Sequence, residues 1–376
     1  MLNNVTFIVG NGGLGRQAAG DDHISALLFA STPAPTALNG LKGKAYAAIG
    51  QVIQDGIIEG DAIYGLAYYH ASEFFRLASG ATLYLFFGAT TNDIFTIGEG
   101  KIKQLATTVI DVADVQSVYQ NMVNDLTTLN APLQIVLGWD AAFDAATAAN
   151  LETKQSENVS VLIAGDGAAK GAALALSLGK PYIPCIGAVL GLLARAKVHE
   201  SIAWVKVFNI SDGKELNVIR LADGTNKPSE AVLSLLNDKR YLLLRKHIGI
   251  GGTYMNDSHT ATVVTSDYAY LENGRTIHKM RRGIRSILLP ELNAPVYVDP
   301  DTGKLSPDSI AYFENLASQT LENMERLREL SGSSVYIDPN QNVLATSKLI
   351  IQARGVPVGV ARNIEINLGF AVTTNF

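Results

Sequence analysis

The chain has 376 residues, of which 47% are hydrophobic and 17% charged, and a formal net charge of -5. That length allows two or three domains with sizeable cores, and that charge argues against a dedicated nucleic-acid binder. A single cysteine, Cys185, excludes a disulfide framework and a cysteine-based zinc site.

No basic segment followed by an apolar run opens the sequence, so no secretory signal is expected. The longest apolar stretch, 181–194, contains Pro181 and Pro184. At about 14 residues it is short of the roughly 20 that a spanning helix needs. Synthesis in the cytoplasm without direct membrane insertion is the expectation.

Residues 2–10 read as a strand in which Val5, Phe7 and Val9 alternate with polar positions or lie two apart. Gly10-Asn11-Gly12-Gly13-Leu14-Gly15 follows, formally a dinucleotide-binding G-x-G-x-x-G. That motif needs a helix at once, so that its amides face the pyrophosphate. Here Gly20-Asp21-Asp22 interrupts the chain, and Asp55 comes too late to bind a ribose. The stretch therefore reads as a flexible glycine linker, and no cofactor is expected.

From residue 22 the pattern is of strands alternating with helices. Residues 23–30 are apolar, 31–36 form a loop, and 36–54 begin a β-α unit. A helix is predicted over 65–78, a buried strand over 82–87, and helices over 101–109 and 115–129. Then follow a strand at 133–137, an alanine-rich helix at 141–154, a strand at 159–164, a helix at 186–199 and a strand at 202–208. Residues 209–229 are turn-rich, 230–236 helical and 241–245 extended. This alternation predicts an α/β domain with a largely parallel sheet, ending near 246–250.

Beyond the turn Gly249-Ile250-Gly251-Gly252 the character changes to α+β. In a first helix Ile277, Met280, Ile284, Ile287 and Leu288 share one face, and Pro290 stops it. Arg275, Lys279, Arg282 and Arg285, with Arg281, make the one concentrated basic feature. It reads either as a solvated face or as an interaction face for an acidic partner. A second helix starts at Ser306-Pro307-Asp308 and carries Ile310, Phe313, Ala317, Leu321, Met324 and Leu327 at helical spacing until Gly332. Strand-like runs follow at 335–338, 343–353 and 357–376, and Ile364, Ile366, Leu368 and Phe370 alternate in the last.

Several polar groups could carry chemistry. Asp257-Ser258-His259 would supply a hydrolase nucleophile or two metal ligands, but a turn with capping side chains accounts for it, and further ligands are missing. His70, with Glu73 and Asp61, could serve acid–base catalysis, but among Tyr68, Tyr69, Phe74 and Phe75 a buried, hydrogen-bonded histidine is the favoured reading. Gly165-Asp166-Gly167-Ala168-Ala169-Lys170 lacks phosphate-loop spacing and reads as a turn into a helix. Cys185 reads as packed in the body.

The runs Tyr270-Leu271-Glu272-Asn273-Gly274-Arg275, Leu288-Leu289-Pro290, Leu330-Ser331-Gly332, Ile337-Asp338-Pro339-Asn340-Gln341-Asn342 and Arg362-Asn363-Ile364-Glu365-Ile366 resemble, in order and spacing, the sheath proteins of contractile phage tails. The likeness is greatest to the compact sheaths of prophages and phage-tail-like injection systems. The resemblance implies an N-terminal arm and linker (1–21), an outer α/β domain (22–246), an inner α+β domain (247–360) and a C-terminal arm (361–376). It implies a structural subunit without catalytic, cofactor or metal residues. That subunit would be made in the bacterial cytoplasm and would polymerise by strand exchange into a helical sheath around an inner tube protein. Contraction would drive the tube through a target envelope. Val5, Phe7, Val9, Ile364, Ile366, Leu368 and Phe370 would be the inter-subunit strands, with baseplate and tail-terminator proteins as further partners. Sheaths surround their tube through charged contacts, which favours the interaction reading of the basic helix. The residues alone leave two alternatives: a nucleotide-binding α/β enzyme, and a non-contractile tube or capsid protein.

Overall fold

The computed structural model describes residues 20–370. The predicted strand with Val5, Phe7 and Val9, and the glycine run 10–15, lie outside the described residues.

The chain enters its core with β1 (Ser25–Phe29), buried along its whole length. Next come β2 (Gly43–Tyr46), α1 (Ile49–Gln54), α2 (Gly65–Leu77) and β3 (Leu83–Phe87). Helix α3 (Thr91–Gly98) starts with a capping box between Thr90 and Asp93, and leads to β4 (Gln104–Val109). A π-helical stretch, Val115–Gln120, runs into α4 (Asn121–Thr128), followed by β5 (Gln134–Trp139) and β6 (Val159–Leu162). These strands form one six-stranded sheet in the order β2-β3-β1-β4-β5-β6. It is parallel except for β2, which runs antiparallel to β3. Leu27 lies between Leu85 and Ala106, and Ile135 between Leu105 and Val159. Strands this uniformly apolar require cover on both faces, as parallel sheets do.

The cover comes largely from later in the chain. β7 (Ala164–Asp166) leads through α5 (Lys170–Ser177) to α6 (Ile186–Arg195), which packs on β1, β4 and β5. β8 (Ile219–Leu221) pairs with β7, and α7 (Glu230–Asp238) precedes β9 (Leu244–Arg245). β9 pairs with β10 (Tyr254–Met255), and α8 (Leu271–Leu288) then packs on β5. The division expected near 246–250 therefore does not fall at a break in packing. The β9–β10 ladder spans it, and the compact unit continues to Ala294, with a second from Pro295.

In the second unit, α9 (Pro307–Arg326) is capped by Ser306, whose hydroxyl accepts from Ser309 N. Phe313, Ala317, Leu321 and Met324 are its buried face. That face lies against an antiparallel ladder of β11 (Leu330–Tyr336) and, after the short α10 (Val343–Thr346), β12 (Gln352–Pro357). Glu314 ties the end of β11 to the helix by accepting from Ile337 N at 2.7 Å.

Four local expectations are corrected. Residues 104–109 are a strand, not a helix: Thr107, Thr108 and Val109 are β-branched, and the segment fills the slot between β1 and β5. The alanine-rich 141–154 is turns with a single 3-10 turn at Leu151–Lys154. Asp144 there accepts from Ala146 N and Thr147 Oγ1, a local alternative to helix. Residues 202–208 are successive turns, with Trp204 N bonded to Ser201 O and Val207 N to Trp204 O. Residues 343–353 split into α10, ended by Ser347 at φ 51°, and the start of β12; residues 358–370 form no strand.

The crossing of α2 and α6 depends on glycine. A Cβ at Gly187 would sit 2.6 Å from His70 Cα and closer still to its carbonyl oxygen. Gly187→Ala is expected to lower stability by about 2–3 kcal/mol, because backbone must move to admit the methyl. Gly50→Ala, exposed in α1 with open space around it, is the matched control and should gain up to about 1 kcal/mol. Urea unfolding of both variants checks the contrast.

Candidate functional site

Two places gather the residues singled out in the sequence: the start of α8 and the C-terminal segment. Tyr270 is extended at φ -137°, and the chain then turns into α8 directly against β5. Gly274 makes this approach possible, since a Cβ there would collide with Gln134 Nε2. The first turns of α8 are consequently buried, and its basic residues do not form one solvated face.

Arg275 is only 4% exposed. Its guanidinium donates to the carbonyls of Leu193 (2.8 Å), Ala196 (2.9 Å) and Lys197 (3.1 Å), closing the C-terminus of α6. Burial pulls its pKa down to about 10, against the opposing charge of Asp22. One and two turns on, Lys279 Nζ and Arg282 Nη2 both meet Asp22, at 2.6 and 3.0 Å. Burial works to raise the Asp22 carboxyl, but the Lys279 hydrogen bond and the surrounding cations outweigh it and hold it below the usual range. Arg281 donates to Thr127 O at 2.7 Å, at the end of α4, while remaining exposed. Arg285 is exposed. Of the five, Arg281 and Arg285 face solvent and the other three are committed inside this unit.

Behind Asp22, α8 closes a small cavity lined by Asp22, Lys103, Val198, Arg275, His278 and Arg282. Burial and the charge of Arg282 bring the Lys103 ammonium down to about 8 and His278 to about 3. Neither Asp22 nor Lys103 was a sequence candidate. Asp22 lies 260 residues from Arg282 in the chain, and no local pattern marks the pair.

The other candidates are accounted for locally. Ser258 Oγ donates to Glu272 at 2.6 Å, and His259 Nε2 meets Asn237 Oδ1 at 3.1 Å. Among the described residues no group of three metal-ligating side chains occurs. Glu73 pairs with Arg76 at 2.5 Å, and Asp61 caps Ile63 N and Tyr64 N, so neither joins His70. His70 is buried as expected, but among the described residues neither of its ring nitrogens has a hydrogen-bond partner, contrary to expectation. Asp166 accepts from Ala168 N and Ala169 N, shaping the turn into α5. Cys185 is buried, which raises its thiol well out of the reactive range.

At the C-terminal segment, β11 and β12 form a sheet of their own, and neither pairs with another described strand. Beyond it Ile364 is 81% exposed and Leu368 91%, and Ile366 and Phe370 are exposed as well. Among the described residues no helix is long and apolar enough to cross a membrane.

Residues 102–259 match the family model described as DUF2586, N-terminal domain, and residues 267–375 the one described as DUF2586, C-terminal domain. No curated protein sequence matches the chain. Two solved structures share the fold over 99% of this chain. One is a chain of the anti-feeding prophage (AFP) baseplate, 6-fold symmetrised (TM-score 0.65, 14% identity, 99% of that chain). The other is a chain of the PVC sheath complex of an extracellular contractile injection system, in the contracted state (TM-score 0.64, 12% identity, 98% of that chain).

Proposed function

We propose that this chain, matched by both DUF2586 domains in order and folded like chains of two contractile injection particles, is a structural subunit of such a particle, and specifically of its sheath. The observation that carries the reading is the exposed C-terminal segment following a sheet that, among the described residues, has only two strands. An open strand edge is a template for a strand from another copy. Ile364, Ile366, Leu368 and Phe370 recur every second residue, as an added strand with one face to bury requires. At about 0.5–1.5 kcal/mol net per hydrogen bond, roughly five bonds add several kcal/mol per contact. Head-to-tail donation of this kind that fails to close a ring builds a helical filament.

In this reading residues 1–21 and 361–376 are arms that link neighbours, and the subunit works by rigid-body rearrangement around an inner tube. Contact with the tube or a neighbour falls to Arg281 and Arg285, the members of the basic set that face solvent. A baseplate subunit of the same fold is the second reading, favoured by the likeness to the AFP baseplate chain.

Electron microscopy of the full chain beside a variant ending at Gly359 tests the proposal. Hollow helical tubes from the full chain, absent from the truncation, are the expected result. Closed rings from the full chain would move the subunit to the baseplate. Full-chain protein that stays monomeric even with an inner tube protein, or a truncation that still forms tubes, would overturn the arm mechanism.

A further inference from the structure

Asparagine precedes glycine three times in the chain, at 11, 39 and 273. Such pairs are chemically labile, because glycine has no side chain to keep its own nitrogen from the preceding carboxamide. The first pair lies outside the described residues, and the fold treats the other two in opposite ways. Asn39 and Gly40 are the central residues of a turn closed by Leu41 N, which donates to Leu38 O at 3.0 Å. Asn39 is left-handed at φ 51° and ψ 40°, and Gly40 stands at φ 87°, the geometry of a type I′ turn. Both residues are exposed, and nothing lies within 4 Å of where a Cβ on Gly40 would stand. Among the described residues neither the Asn39 carboxamide nor the Gly40 N–H has a hydrogen-bond partner. Rotation about ψ of Asn39, which carries Gly40 N toward Asn39 Cγ, breaks the bond that closes this surface turn, and local opening of that kind costs little.

Asn273-Gly274 is locked by comparison. Asn273 Nδ2 donates to Asp267 O at 2.8 Å, and Gly274 N donates to Tyr270 O at 3.3 Å, in the first turn of α8. Gly274 is buried against Gln134. Reaction there requires the start of α8 to unwind and leave β5.

We infer that Asn39 is a site of spontaneous covalent modification in the folded chain. Gly40 N gives up its proton to water and attacks Asn39 Cγ; a C–N bond forms and the carboxamide nitrogen leaves as ammonia. Water then opens the cyclic imide at either carbonyl. One cleavage gives aspartate, and the other gives isoaspartate, in which the main chain runs through the former side chain. Either product carries a negative charge where Asn39 carries none. Isoaspartate also adds a methylene to the main chain between two fixed points, Leu38 in the core and Lys42, whose carbonyl accepts from Phe87 N. The change therefore falls on the entry to β2, the antiparallel edge strand of the sheet. The inference is independent of any sheath role, since it needs only the first compact unit.

Incubation of the full chain in warm, mildly alkaline buffer made with heavy-oxygen water, followed by peptide mapping in a mass spectrometer, tests it. A heavy oxygen replaces the carboxamide nitrogen wherever the reaction has run. The Asn39 peptide is expected to take up label about tenfold or more faster than the Asn273 peptide, and to separate into two isomers of equal mass. In guanidinium chloride, where neither turn nor helix persists, the two peptides should react at similar rates. Asn39→Gly, which adopts the same left-handed turn, should lose label at that peptide alone. Uptake at Asn39 no faster than at Asn273 in the folded chain would overturn the inference. So would a preference that survives full denaturation, because the fold would not be its cause, or label that persists in the Asn39→Gly peptide.

Discussion

Between about pH 7.5 and about pH 5, the wild-type chain is expected to lose about 2 kcal/mol more folding stability than a His70→Leu variant. His70 is fully buried in α2, stacked near Phe29 at 6.2 Å and tilted against Tyr69 at 5.2 Å. Burial, with a smaller push from Lys180, lowers its pKa from 6.5 to about 3. The folded chain therefore keeps the ring neutral, while the unfolded chain takes up a proton below pH 6.5. Over that window the unfolded state binds more protons, so stability rises with pH. His70's contribution is fully present above pH 6.5 and is lost as pH falls toward 3, where it totals on the order of 5 kcal/mol. Asp22 and other acid-sensitive groups act in both proteins and cancel in the difference. At pH 7.5 the leucine variant should be no less stable than wild type, because it removes two buried nitrogens that have no partner among the described residues. Urea titrations at the two pH values measure the difference. Parallel losses in wild type and variant would show that the ring is protonated in the folded state.

The sequence discloses the parts of this fold in which one short stretch decides the outcome. The apolar run 82–87 and the runs at 133–137 and 159–164 mark β3, β5 and β6, and their alternation with helices announces the largely parallel sheet. The Ser306-Pro307 start and the spacing of Phe313, Ala317, Leu321 and Met324 mark α9 just as directly. What stayed hidden is what distant residues decide. Residues 104–109 become β4 because β1 and β5, drawn from either side of it in the chain, leave a slot that only a strand fills. Helical spacing placed Arg275, Lys279 and Arg282 correctly on one side of α8, but spacing gives no sign of the burial of that side. The burial follows from Gly274, which lets the helix approach Gln134, and from Asp22, which supplies a counter-charge from 260 residues away. A glycine inside a cationic helix is the one local mark that such an approach was intended.

Arg275→Met is accordingly expected to destabilise the chain by about 3–5 kcal/mol, while Arg285→Ala should change stability by less than about 0.5 kcal/mol. The two arginines lie on the same helix and are indistinguishable by residue type. Arg275 caps the C-terminus of α6, where unsatisfied carbonyls and the helix dipole both call for a buried cation. Methionine fills much of the same volume without a donor, leaving three carbonyls at a buried helix end without their present partner. Arg275→Lys should recover only part of the loss, since one ammonium cannot reproduce a guanidinium that serves three acceptors through two nitrogens. Because α6 packs on β1, β4 and β5, the loss should appear as global unfolding at lower urea, with an unchanged denaturant slope. Equal stability of the Arg275 and Arg285 variants would mean that the α6 terminus finds other donors, and that Arg275 is as free to meet a partner as Arg285.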